Sequence, residues 1–373
     1  MESRLALRIL GDIMGWPDER AEAEFRWLRL MARLKYDAYE DFRAGARFLE
    51  SLATWLQQFE KGDRATAYQF VRRRLIYVGE SELQRLVELF YPRTLEKRLL
   101  RQVATIRSIE PYMVWTQPQA KADFSKLLRQ TLIMALSDGA RIDQLRRATT
   151  GILSNEQFVG MTQVDDIKWD DLLQKLRHDL KDDNAKFAQV LLVDDFMGTG
   201  TTVLRQEHDA WTGRLGKFRG SLDRVDGGAS KLFEPGWKVV VHHYIAVPDA
   251  IAAVEARAAK AATDRGAAGW FPEVAFTYEL ALPRETRICE DTKFVELTEK
   301  HYNGSIETDS TRKGGFHRIN LGYGGCALPL VLDHNTPNNS VPLLWAECDA
   351  RDAGGKQEPE MRPLFRRRQR HVS

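Results

Sequence analysis

The sequence predicts an α/β protein: a parallel sheet flanked by helices, with a helical layer on the N-terminal side and an irregular C-terminal extension. Three observations lead there. Val190-Leu191-Leu192-Val193 is an unbroken apolar run, the pattern of a strand buried on both faces, as at the centre of a parallel sheet. Apolar runs at 131–136, 238–247 and 274–282 alternate with segments of helical period, the order of strand–helix–strand crossovers. Residues 21–91, by contrast, carry a helical period throughout.

The chain has 373 residues, 43% hydrophobic and 29% charged, with a formal net charge of +2. That length can bury one large core or two ordinary ones, and the composition is globular rather than disordered or fibrous. Near-neutral charge gives no bulk attraction to nucleic acid or acidic surfaces. No apolar run is long enough to span a bilayer, and the N-terminus lacks a signal-peptide pattern, so a cytoplasmic protein without membrane contact is expected. Cys289, Cys326 and Cys348 have no C-x-x-C or Cys/His ligand spacing and read as reduced, partly buried thiols.

Taken in order, Phe25, Leu28, Met31 and Leu34, then Phe48, Leu52, Trp55, Leu56 and Phe59, recur with helical spacing. Gly62-Asp63 and Gly79-Glu80-Ser81 read as turns and N-caps, and Tyr91-Pro92 as a helix stop. Arg72-Arg73-Arg74 reads as a solvated basic face, with nucleic-acid contact as the minority reading. After the apolar run 131–136 comes Ser137-Asp138-Gly139-Ala140-Arg141, an ordinary turn by composition. Residues 165–186 place Trp169, Leu172, Leu173, Leu176 and Leu180 on one side, as a crossover helix into 190–193 does. A helix is expected from Val203 to about Leu215. A Gly/Ser-rich insertion then runs to Gly236 and reads as a mobile flap or plain surface loop. The strand 238–247 carries His242 and His243 on opposite faces. An Ala-rich helix, 249–263, and the strand 274–282 complete the alternation. Beyond them, 327–332 and 341–345 read as strands joined by a loop dense in Asn and Pro.

The chemistry concentrates after Val193. Asp194 and Asp195 fall at the strand's carboxyl end, where open α/β sheets bind ligands. Gly198-Thr199-Gly200-Thr201-Thr202 follows, a small-residue loop leading into the expected helix, with amides and hydroxyls able to converge on a phosphate. Carboxylates repel phosphate, so the acid pair suits neighbouring hydroxyls, directly or through Mg²⁺. A sugar phosphate meets both demands. The simpler alternative is a buried strand and a capped helix with incidental acids. A dinucleotide fingerprint would need Gly at Val203, and no G-x-x-x-x-G-K-[ST] loop occurs.

The run of apolar residues, two acids, two variable residues and a Gly/Thr-rich turn closely resembles the 5-phosphoribosyl-1-pyrophosphate (PRPP) motif of type I phosphoribosyltransferases. The resemblance implies that Asp194 and Asp195 hold the ribose hydroxyls and support Mg²⁺ indirectly, through ribose or water. It implies that Gly198, Thr199, Gly200, Thr201 and Thr202 hold the 5′-phosphate. Ser137, Asp138, Gly139, Ala140 and Arg141 resemble the family's pyrophosphate loop by position. One departure is Gly198, which stands where hypoxanthine-type members carry an aspartate general base. Together with the helical N-terminal segment and GYGGCALPLVLDHNTPNNSVPLLW, these motifs resemble phosphoribosyltransferase-like effectors of bacterial conflict systems, including retron-associated ones. That implies antiviral defence, with partners such as a reverse transcriptase and its nucleic acid. It also offers Asn335, Asn338 and Asn339 as an acceptor loop, the alternative being a plain Asx-turn connection.

The expected organisation is a helical region at 1–110, a phosphoribosyltransferase-like α/β domain with hood-like C-terminal elements at 111–350, and a disordered basic tail at 351–373. The tail's Arg366-Arg367-Arg368-Gln369-Arg370-His371 suits weak, salt-dependent contact with nucleic acid.

Overall fold

Five strands build one parallel sheet: β1 (Thr131–Ala135), β2 (Phe158–Val159), β3 (Phe187–Met197), β4 (Phe233–Ala246) and β5 (Glu273–Ala281), in the order β2-β1-β3-β4-β5. The structure is a computed structural model and describes residues 3–43, 47–312 and 315–367. The chain divides into two compact units, Gln84–Leu282 with the sheet, and Met1–Leu83 together with Pro283–Ser373. The α/β class and the central place of the apolar run 190–193 are as the sequence predicts.

All five residues of β1 are buried, as are Val190 to Val193 in β3, so neither strand has a solvent face to make polar. The helix Asp166–Leu180 leads into β3 and buries Trp169, Leu172, Leu173 and Leu176. Asp165 caps it by accepting from the Lys168 amide at 2.8 Å. The helix Pro248–Gly269, interrupted at Gly266, connects β4 to β5. Strand order reverses between β1, whose chain passes to β2 at the edge, and β3, whose chain passes to β4 on the other side. That reversal is the switch point at which open α/β sheets bind ligands.

Three local expectations for this unit are corrected. The helix expected from Val203 is absent. Arg205–Glu207 and Ala210–Thr212 instead form an antiparallel hairpin, with His208 in the left-handed region at φ 53°. Buried Trp211 anchors the hairpin by donating from Nε1 to Asp264 at 3.1 Å. The helix begins only at Arg214 and ends at Leu222. The supposed flap is helical too: Leu215, Phe218 and Leu222 in that helix and Leu232 in Gly228–Leu232 are buried. Nor does Tyr91-Pro92 end a helix, because a π-helical turn, Phe90–Leu95, passes directly into Glu96–Arg107. The wider turn tolerates a proline that an α-helix interior would not.

The other unit packs the helices Ser3–Met14, Asp18–Leu34, Phe48–Gln57 and Arg64–Arg73 with the C-terminal segment. Ile76–Val78, not expected as a strand, pairs in parallel with Leu330–Leu332. In place of the strand that the sequence predicts at 341–345, Pro342–Trp345 is a short helix, with Pro342 in its first turn. In the basic run at 72–74, Arg73 is exposed, while Arg72 stands 3.4 Å from a Glu24 oxygen and 4.2 Å from the Trp27 ring centroid and Arg74 donates to the Arg287 carbonyl at 2.7 Å. Among the described residues no cysteine is in a disulfide; Cys326 is buried and Cys289 exposed.

The disordered tail from 351 is corrected as far as the described residues reach. Arg351–Ala353 and Lys356–Glu358 form a hairpin, and Met361, Leu364 and Phe365 are buried. The Phe365 ring sits 5.2–5.9 Å, centroid to centroid, from Tyr36, Tyr39, Phe42, Phe48 and Tyr77. Arg368, Gln369, Arg370 and His371 lie outside the described residues. The units thus divide at 84 and 282 rather than at the expected 110 and 350, because residues beyond 283 complete the core of the N-terminal helices. Among the described residues no helix is long and apolar enough to cross a membrane.

Candidate functional site at the strand-order reversal

The loops leaving β1 and β3 meet at the switch point. Ser137 follows β1, caps the short turn Asp138–Ala140 by accepting from the Gly139 amide at 3.1 Å, and donates its own hydroxyl to Asp194 Oδ1. A Cβ placed on Gly139 would stand 2.5 Å from Asp195 Oδ2, so glycine is what lets this carboxylate lie against the loop. Ala140 is buried, and its carbonyl accepts the Tyr244 hydroxyl of β4 at 3.0 Å. Arg141 takes a left-handed conformation, φ 49°, and donates to Gln144 Oε1 at 3.3 Å. Asp138 is exposed.

The two acids differ in surroundings because successive strand residues point to opposite faces. Asp194 is 4% exposed. Its Oδ1 takes the Ser137 hydroxyl and the Asp195 amide (3.1 Å), and its Oδ2 takes the Arg214 guanidinium. Asp195 is half-buried, and its Oδ1 accepts the Phe196 amide at 2.7 Å. His243 on β4 is the register partner of Asp194. Both its ring nitrogens lack a hydrogen-bond partner among the described residues. Burial pushes its pKa down to about 3, Asp195 opposing and Arg214 assisting, so the ring is neutral at physiological pH.

The loop after β3 runs through Gly198 to Thr202 without entering a helix. Thr199 and Thr201 hydroxyls are hydrogen-bonded to each other at 2.9 Å. Arg257 Nη2 donates to the Thr199 carbonyl at 2.6 Å, and Arg205 Nη1 to that of Thr201 at 3.3 Å. Gly200 has φ 70°, and a Cβ there would meet Arg257 and Val254 at 3.0–3.1 Å, so the turn requires glycine. The hairpin returns the chain to this loop, where the Arg214 and Leu215 amides donate to the carbonyls of Thr202 and Val203 at 3.0 Å each. The helix dipole expected behind the loop is therefore not in place, and the helix Arg214–Leu222 spends its first amides on the loop's own carbonyls.

Ser137 to Arg141 and Asp194 to Thr202 thus share one end of one sheet. Asn335, Asn338 and Asn339 belong to the other unit. There Asn339 is buried and donates to the Tyr323 carbonyl at 3.0 Å, while the Asn338 carbonyl accepts the Tyr323 amide at 2.7 Å. The Asn335 amide closes a turn on Leu332 at 3.1 Å. Arg214, Tyr244 and Arg257 escaped sequence reasoning, since an arginine after a glycine or inside a helix carries no signal of the loop it will reach. Among the described residues no group of three or more His, Cys, Asp or Glu could hold a metal ion. Mg²⁺ commonly needs only one or two carboxylates when a ligand's phosphates complete its shell, and the acid pair at the end of β3 fits that demand.

No curated protein and no solved structure matches the chain. The PRTase-CE family model matches residues 52–367, which includes both loops of the switch point. With that match over most of its length, the chain belongs to the PRTase-CE family and is a phosphoribosyltransferase-like protein.

Proposed function

We propose that the switch point binds PRPP or a related ribose-5-phosphate nucleotide and that the protein acts at its anomeric carbon. The observation that carries this reading is the junction of the two loops, with Gly139 against Asp195 and Ser137 on Asp194. Amides of the 198–202 loop and the paired hydroxyls of Thr199 and Thr201 take the 5′-phosphate. Asp195, the more accessible acid, accepts ribose hydroxyls. The loop from Ser137 to Arg141 takes the pyrophosphate or its substitute. Mg²⁺, when bound, neutralises phosphate charge, and Asp194 and Asp195 support it indirectly, through ribose or water.

Departure of pyrophosphate with its bonding electron pair leaves an oxocarbenium-like carbon. Fixing the ribose and holding the departing phosphates lowers that barrier without a covalent nucleophile from the protein. The incoming group is a base, a macromolecule or water, and Gly198 supplies no general base to it. The resemblance to conflict-system effectors supports a place in bacterial antiviral defence, beside a partner such as a reverse transcriptase with its nucleic acid.

A second reading is a catalytically silent nucleotide-sensing or partner-binding module. It is favoured by Asp194, whose two oxygens are already engaged by Ser137 and Arg214. Incubating the full chain with PRPP, nucleotides and Mg²⁺, followed by mass-spectrometric product analysis, separates the two. New glycosyl products support the enzyme, whereas calorimetric binding without product supports the module. In either case Thr199→Val with Thr201→Val removes two donors at constant shape and weakens binding by about 1–3 kcal/mol. Wild-type affinity in that folded variant ends the phosphate-loop assignment.

A further inference from the structure

Asp194 is buried, and besides the Asp195 amide its carboxylate takes two side-chain donors, one on each oxygen: Ser137, from the loop after β1, and Arg214, from the start of the helix behind the hairpin. A carboxylate so engaged is a poor acceptor for ribose hydroxyls. It is a good clamp, because groups bonded to one carboxylate stand only a few ångströms apart. Arg214 is also fixed at its backbone, its amide donating to Thr202 O of the 5′-phosphate loop. The residue therefore begins at one anion loop and reaches the edge of the other. The hairpin 205–212 makes this reach, since a helix continuing from Val203 would carry residue 214 about three turns away from the loop.

A buried ion pair is weak grounds for stability, because desolvation of both charges offsets most of their attraction. A guanidinium carries five N–H donors in a rigid fork and can serve a carboxylate and a phosphate at once. Its side chain retains 20% exposure, against 5% for that of Asp194, so the arginine is the partner that a ligand can approach. Building on the reading above, we infer that Arg214 recognises the pyrophosphate end of the ligand and that Asp194 is the positioning residue that aims it. On this view the acid pair divides its labour: Asp195 faces ribose, and Asp194 works through Arg214 and Ser137.

The test measures calorimetric affinity of the full chain for inorganic pyrophosphate, ribose 5-phosphate and PRPP, each with Mg²⁺. The variants are Arg214→Gln, Arg214→Lys, and Arg214→Gln combined with Asp194→Asn, which leaves no buried charge should the single variant fail to fold. Pyrophosphate affinity is expected to fall at least about tenfold in the Gln variants and less in Arg214→Lys, the loss of a charge-assisted contact, while ribose 5-phosphate changes by less than about twofold. Unchanged pyrophosphate affinity in a folded Gln variant overturns the inference. So does an equal loss for both ligands, which marks a structural clamp, and so does absence of pyrophosphate binding by the wild type. If the wild type binds pyrophosphate through Arg214 but binds neither ribose 5-phosphate nor PRPP, the inference stands and the phosphoribosyl reading falls. If PRPP binds while pyrophosphate affinity ignores Arg214, the reverse holds.

Discussion

Gly139 and Asp195 lie so close across the two loops of the switch point that a methyl group on Gly139 would stand 2.5 Å from Asp195 Oδ2 and 2.7 Å from Cγ. No positive φ requires glycine there, so the constraint is space alone. Gly139→Ala should push the carboxyl aside by rotating the half-buried Asp195 side chain, at a stability cost of about 1 kcal/mol. Ligand affinity should fall more than that. A melting curve beside a PRPP titration checks it: a variant that melts like the wild type and binds like it would show that the position of Asp195 is immaterial.

The two acids should separate when replaced singly. Asp194→Asn leaves the Arg214 guanidinium beside a neutral amide in a mostly buried place, so it should cost about 1–3 kcal/mol. Asp195→Asn, at a half-buried position, should cost less than about 1 kcal/mol and act chiefly on ribose 5-phosphate binding. Urea denaturation ranks them, and equal midpoints would contradict the asymmetry of their surroundings.

Acid should weaken the sheet unit before it disturbs most of the surface. His242 and His243 are buried, and burial lowers both to about 3 from the ordinary 6.5. The unfolded chain takes up these protons near 6.5 and the folded one does not. Their contribution is therefore complete above pH 6.5 and is lost progressively as pH falls from there towards 3, at about 1 kcal/mol per pH unit for each ring. Denaturant midpoints between pH 7.5 and 5 should show this slope, and His243→Leu should flatten it. A stability independent of pH in that range would mean the rings are hydrated or paired with a charged group in solution.

Phe365 tests the inclusion of the C-terminal segment in the helical unit. Its ring is fully buried among five aromatic rings, so Phe365→Ala should cost about 3–5 kcal/mol. A loss below about 1 kcal/mol, read by guanidinium denaturation, would place the segment outside the core.

The chain's own composition and periodicity determined the class of the fold, and one contiguous motif marked the candidate site. Strands buried on both faces have to be apolar throughout, and Val190–Val193 could be little else. The acid pair and the Gly/Thr loop were legible because they are contiguous, and Asp166–Leu180 because a crossover helix writes its buried stripe at regular spacing. What only the tertiary structure decided involves partners far apart in sequence. Ile76–Val78 is too short to read as a strand until Leu330–Leu332 pairs with it. Phe365 looks like the start of a tail until the aromatic rings of the N-terminal helices surround it. The residues 205–212 have a composition that a helix tolerates, and they form a hairpin because Trp211 finds a buried place and a partner in Asp264, 53 residues further on. That long-range contact moves the helix start to Arg214 and sets its guanidinium on Asp194. Local propensity is a matter of tenths of a kcal/mol per residue, and the burial of one tryptophan with its hydrogen bond outweighs it.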